Sequence, residues 1–361
     1  MSRSRIPGAI GALAVATLAL TACQAPPEAP SSTGEASAGS DYLACMVANS
    51  GNIQDRSFNQ AVFESLEAAQ AEYGVEMRET VSQSQADYET NLETMVGEGC
   101  DYIVTVGWEL ADATRASAEA NPDITYSIVD EVVEGPNVAS IVHDTAQAAF
   151  LAGYLAAGVS KTGVVGTFGG GNQPPVTVFM DGFAAGVEQY NTAKGASVRV
   201  VGWDPKTQQG SFTDDFTNTN AAQTTAQGLI SQGADIIMPV AAQAGEGAAA
   251  AALAAGDVGI IWVDSDGYEL LGEEYRPLLV TTVEKRMEPA ILGVIGADID
   301  GTFEAGNNVG TLENDGVGLS SFHDWDSKVP AELKSEIEDL KAKIISGEIV
   351  VESPSSPTGA N

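Results

Sequence analysis

The stretch Asn49-Ser50-Gly51-Asn52-Ile53-Gln54-Asp55-Arg56-Ser57-Phe58-Asn59 is polar except near its end, where Phe58 places an aromatic ring just before a helical segment. Ser57 or Asn59 can cap that helix through a side-chain oxygen, but capping gives no reason for an apolar ring in a loop that otherwise prefers water. Asp264-Ser265-Asp266-Gly267-Tyr268 and Glu284-Lys285-Arg286 each follow an apolar run. Carboxylates such as Asp264 accept hydrogen bonds from the paired hydroxyls of a sugar, and Lys285 can donate to the same hydroxyls. Trp203 and Phe212 flank a further loop. Either could grip a flat heterocycle together with Phe58, since stacked rings favour an offset face-to-face approach, and plain core packing is the competing reading of Trp203. The glycines of Gly169-Gly170-Gly171-Asn172-Gln173-Pro174-Pro175 allow a backbone to approach a ligand closely. The loop has neither the Lys-Ser/Thr ending nor the Gly-x-Gly-x-x-Gly spacing of a phosphate cradle.

Enzyme chemistry finds little support. The two histidines, His143 and His323, stand in no zinc-binding spacing, and no Gly-x-Ser-x-Gly elbow is present. Asp264-x-Asp266-Gly lacks the later Glu of a calcium loop. No catalytic residue, metal or cofactor is expected.

The elements that would position these loops alternate along the chain. Apolar runs of strand length fall at 42–47, 74–79, 102–106, 125–129, 163–168, 197–202, 236–240, 259–263 and 278–281. Ala-rich helical stretches at 59–73, 88–98, 145–159, 181–190, 219–232 and 246–255 separate them. Runs without polar alternation fit strands covered by helices on both faces, so the fold class is α/β with doubly wound parallel sheets. In such sheets ligands bind outside the carboxyl ends of the strands, where the loops above lie. The pattern Met95-Val96-Gly97-Glu98-Gly99-Cys100-Asp101-Tyr102-Ile103-Val104 recurs as Leu229-Ile230-Ser231-Gln232-Gly233-Ala234-Asp235-Ile236-Ile237-Met238, with Gly and Asp in matching places. Each copy reads as helix end, glycine cap and buried strand, which predicts two similar lobes.

Arg3, Arg5 and an apolar run over 10–20 form a signal peptide, since the run is too short to span a bilayer. Leu20-Thr21-Ala22-Cys23 resembles the bacterial lipobox, which makes Cys23 the lipidated first residue of the mature chain. Residues 23–40 lack large apolar side chains and form a disordered tether. Loss of 1–22 leaves 14 basic against 50 acidic residues, a formal charge of −36. That excess would repel a phosphate backbone and excludes nucleic acid as a partner. Cys45 and Cys100 can pair in an oxidising compartment or remain two buried thiols.

Taken together, Asp55-Arg56-Ser57-Phe58-Asn59, Ala149-Phe150-Leu151-Ala152-Gly153-Tyr154-Leu155, Gly210-Ser211-Phe212-Thr213-Asp214, Gly245-Glu246-Gly247, Val263-Asp264-Ser265-Asp266 and Thr282-Val283-Glu284-Lys285 resemble the basic membrane protein family. These are substrate-binding lipoproteins of ABC importers, among them purine-nucleoside receptors. The resemblance spans nearly the whole mature chain and implies a type I periplasmic-binding fold with two lobes joined by three crossovers. It implies lobe 1 at 41–143 with about 266–310 returning to it, lobe 2 at 144–265 with about 317–352 returning, and a tail at 353–361. Asp55 belongs to the ligand loop, Phe58 would stack on a base, Asn59 and Asp130 would bond its edge, and Asp264 with Lys285 would hold a ribose. Gly245 would let backbone reach the ligand, with Trp203 rather than Phe212 as the second ring. The implied protein is a monomer held to the outer face of the cell membrane through its N-terminal lipid alone. It would deliver a nucleoside to ABC permease subunits; another small polar solute, such as a sugar or signalling molecule, is the alternative cargo.

Overall fold

The computed structural model describes residues 41–357. The expected signal peptide, lipidated Cys23 and tether fall outside them, as does the end of the expected tail.

The chain opens with β1 (Leu43–Ser50), α1 (Phe58–Tyr73), β2 (Glu76–Ser82), α2 (Tyr88–Glu98), β3 (Tyr102–Val106), α3 (Ala111–Ala120), β4 (Thr125–Val129) and β5 (Val138–His143). There follow α4 (Thr145–Val159), β6 (Val164–Gly169), α5 (Pro174–Lys194), β7 (Arg199–Val201) and the short strands β8 (Trp203–Asp204) and β9 (Gln209–Gly210). Next come α6 (Thr219–Ser231), β10 (Ile236–Val240), α7 (Glu246–Ala255), β11 (Gly259–Asp264), α8 (Gly267–Leu270) and β12 (Leu279–Lys285). The last elements are α9 (Glu288–Ile299), β13 (Gly306–Gly310), β14 (Val317–Leu319) and α10 (Ala331–Ile345).

Two six-stranded sheets result, in the orders β13-β5-β4-β3-β1-β2 and β14-β12-β11-β10-β6-β7. Leaving out the edge strands β13 and β14, the remaining five strands of each follow one plan, and within it β3 matches β10 and β4 matches β11. The repeat seen in the sequence therefore marks equivalent helix-to-strand turns, with Gly99 and Gly233 both at positive φ. Within these two sheets all pairings are parallel except that of β14 with β12, and β8 and β9 form a separate antiparallel pair. Strands β3, β4, β5 and β10 are buried along their whole length because helices cover both faces.

The chain crosses between lobes at Asp144, at Arg286–Met287 and between β13 and β14. The return to lobe 1 expected near 266 begins only after Lys285. Strand β12 fills in the second sheet the place that β5 fills in the first, so α8 and β12 belong to lobe 2. Helices α4 and α5 pack with backbone nearly touching: a Cβ on Gly153 would lie 2.0 Å from the Phe183 carbonyl oxygen, and one on Gly186 would lie 1.9 Å from that of Phe150. Only glycine admits this approach, which seats the first turn of α5 at the mouth between the lobes. The described part of the tail is held down. Ser353 Oγ donates to Asp181, and Ser356 Oγ donates to Asp144 beside the first crossover, at 2.6 and 2.8 Å.

Candidate functional site

A cleft of about 700 Å³, part of it open to solvent, lies at the carboxyl ends of both sets of strands. From lobe 1 it is lined by Asn49 at the end of β1, Phe58 and Asn59 at the start of α1, Trp108 and Glu109 after β3, and Asp130 after β4. Lobe 2 contributes Val176 and Phe179 from α5, Phe216, the end of β10, Asp264 and Lys285.

At its centre the ammonium of Lys285, which lobe 2 supplies, donates to Asp130 Oδ2 of lobe 1 at 2.7 Å and stands 3.8 Å from Asp264 Oδ1. Lys285 and Asp264 are buried, and the Asp130 side chain is 9% exposed. Burial pushes the Asp130 carboxyl above the usual carboxylate range, and the neighbouring Lys285 charge opposes that rise. Asp130 and Asp264 both adopt left-handed backbone, with φ 70° and 71°. That conformation is costly for residues with a Cβ and persists where the surroundings demand it. The Lys285 ammonium also sits 5.1 Å from the centroid of the Phe58 ring and 5.2 Å from that of Phe179. Cation–π attraction thus ties the charged knot to two aromatic faces.

Asp55 has a different job from Phe58. Its carboxylate accepts the backbone N–H groups of Ser57, Asn59 and Gln60 at 2.9 to 3.1 Å and so caps α1. The cap expected from Ser57 or Asn59 is supplied by this buried acid, and burial raises its pKa to about 6 against those three bonds. Ser57 is freed to donate from Oγ across the cleft to Asp264 Oδ2 at 2.5 Å. Arg56 pairs with Glu246 of lobe 2 at 3.1 Å, and the Trp262 indole donates to the Arg56 carbonyl. The loop before α1 is therefore fastened to the opposite lobe at three points. The carbonyl oxygens of the Asn49 and Asn59 side chains are buried and have no partner.

Two expected residues lie elsewhere. Trp203 is buried, its indole N–H donates to Asp181 at 2.9 Å, and it meets Phe212 edge-on with centroids 6.0 Å apart. With its one polar group satisfied inside lobe 2, the indole is core, and neither it nor Phe212 lines the cleft. Gly245 is also buried away from the cleft, against the Trp262 ring. The glycines after β6 make room for aromatic rings: a Cβ on Gly170 would meet Phe216 at 2.3 Å. Phe216 and Phe179 are the lobe 2 rings that reach the cleft, and the sequence reading missed both in that role. Phe179 looks like one more apolar position of a buried helix, and Phe216 follows two aspartates in an irregular loop. Cys45 and Cys100 are joined in a disulfide that ties β1 to the residues leading into β3.

The family model for PnrA-like ABC transporter substrate-binding proteins (Bmp) matches residues 43–355. The chain is 30% identical to a CD4+ T-cell-stimulating antigen of Listeria innocua, over 88% of this chain and 90% of that protein. It is 28% identical to the ABC transporter nucleoside-binding protein BmpA of Lactococcus lactis, over 96% of this chain and 98% of that one. Among solved structures, an ABC transporter solute-binding protein from Aeropyrum pernix superposes with a TM-score of 0.78 at 24% identity, covering 87% of this chain and 94% of that one.

Proposed function

The chain belongs to the family of PnrA-like ABC transporter substrate-binding proteins, and from that premise we propose that it captures a purine nucleoside between its lobes. It is a binding protein and not an enzyme; its partners are a ligand and the permease of an ABC importer. The observation that carries the nucleoside reading is the divided lining of the cleft. Phe58, Phe179 and Phe216 offer apolar ring faces suited to a planar base, while Lys285 and Asp264, joined by Asp130 through its bond to Lys285 rather than at the base edge, offer a compact set of donors and acceptors suited to ribose hydroxyls.

Asp130 belongs to lobe 1 and Lys285 to lobe 2, so a sugar bound at this knot touches both lobes at once. Only such simultaneous contacts can favour the closed arrangement over an open one. Closure would turn about the three crossovers and present a joined surface to the permease. The mature protein would be a monomer held to the outer face of the cell membrane by acyl chains on Cys23.

Titration calorimetry of ligand-stripped mature protein tests the cargo. Heat with purine nucleosides and none with free sugars is expected; no heat with any nucleoside overturns the reading.

A further inference from the structure

Resting on the nucleoside reading, we infer that the cleft selects a base with a donor-rich edge, a 2-amino-6-oxopurine of the guanine type, and that Glu109 and Asn49 determine this choice. The end of the cleft formed by lobe 1 presents acceptors. Asn59, 3% exposed, keeps its buried Oδ1 without a partner, and so does Asn49. The orientation of the Asn49 amide is set by its Nδ2, which donates to Glu109 Oε2 at 3.4 Å. Its Oδ1 is thereby fixed as the free acceptor. Among the described residues no other side chain donates to Glu109, which leaves most of the carboxylate's accepting capacity open. The cationic group of the cleft does not satisfy these acceptors, because the Lys285 ammonium stands against Asp130 and Asp264. Glu109 also borders a surface depression shared with Glu89, Asp112 and Glu131, so the local potential is negative and favours N–H groups over lone pairs.

An edge carrying N1–H and a 2-amino group brings three N–H donors to this set. A carboxylate can take N1–H and one 2-amino hydrogen as a parallel pair, the geometry that makes two-point recognition of a carboxylate strong. Hypoxanthine keeps N1–H and lacks the amino group, which strands a buried acceptor. Adenine presents a lone pair at N1, which faces the carboxylate repulsively. Sites built to bond a particular group reject analogues that lack it, because their own buried polar atoms are then left unpaired.

The test is titration calorimetry of the full mature chain with guanosine, inosine and adenosine, repeated on Glu109→Gln. Guanosine should bind about tenfold or more tightly than inosine, the factor expected for a bond to a charged acceptor, with adenosine weaker still. Glu109→Gln should bring the guanosine-to-inosine ratio toward unity, and retained inosine binding shows that the variant is folded. Equal affinity of the native protein for the three nucleosides overturns the inference and leaves the nucleoside reading standing. So does a ratio unchanged in Glu109→Gln, or an equal loss for all three ligands. If no nucleoside binds the native protein, both fall.

Discussion

Asp130 and Asp264 end equivalent strands of the two sheets, share a left-handed backbone with φ near 70°, and turn their carboxylates toward one ammonium, that of Lys285. The two acids come from opposite lobes, so the lysine is where the lobes meet electrically. Removing one member of a buried charge cluster leaves the others uncompensated. Lys285→Ala should therefore lower stability by about 3–5 kcal/mol and abolish nucleoside binding. Adding Asp130→Leu in the same chain should restore much of the stability, read by urea denaturation, while calorimetry still finds no binding. Full stability in Lys285→Ala alone would show that the pair contributes nothing to the fold.

The two tryptophan and phenylalanine positions that looked alike in sequence should separate by experiment. Phe58→Ala should lose about 1–3 kcal/mol of nucleoside affinity, the usual worth of a base stacked on an aromatic ring. Trp203→Phe should bind as the native protein does and unfold at lower temperature, because Asp181 loses its indole donor. Reversal of these outcomes would return Trp203 to the site.

Buried His143 is held neutral, with its pKa lowered to about 3 by burial and by the Lys285 charge. The depressed value means that its stabilising contribution is complete above about 6.5 and is lost as the pH falls toward 3. Asp55 runs the other way: its pKa is raised to about 6, so its contribution is complete below 3.8 and lost as pH rises through 6. His143→Gln should therefore gain on the native protein between pH 7 and pH 4, by about 3 kcal/mol in urea titrations at the two values. A constant difference between the two proteins across that range would refute the neutral buried histidine.

The Cys45–Cys100 bridge closes a loop with a sequence separation of 55. Chain-entropy arguments give such a cross-link about 4 kcal/mol. Reduction, or Cys45→Ala with Cys100→Ala, should lower the melting temperature of the protein. Ligand affinity should hold at temperatures where the chain stays folded, since neither sulfur lines the cleft.

Much of the architecture could be read from the chain alone. Fully apolar five-residue runs such as Ile236–Val240, separated by Ala-rich helices, leave little choice but strands covered on both faces, and the Gly-x-Asp repeat announced equivalent turns in two lobes. Strands β5 and β13 were passed over. Gly306–Gly310 reads Gly-Asn-Asn-Val-Gly and sits at an exposed sheet edge, where burial imposes no apolar pattern. The loops bearing Phe58, Asp264 and Lys285 stood out because polar and aromatic residues at strand ends serve no core. Tertiary structure alone decided which of these groups meet. Asp130 lies 155 residues from Lys285, and their contact depends on how three crossovers set one sheet against the other. The same holds for the rings: whether an aromatic packs inward, as Trp203 does on Asp181, or faces the cleft, as Phe216 does over Gly170, turns on a hydrogen-bond partner and a missing Cβ. Local sequence fixes periodicity and turn chemistry through neighbours a few residues away, whereas partners across a cleft are chosen by packing between segments that the chain brings together only once it is folded.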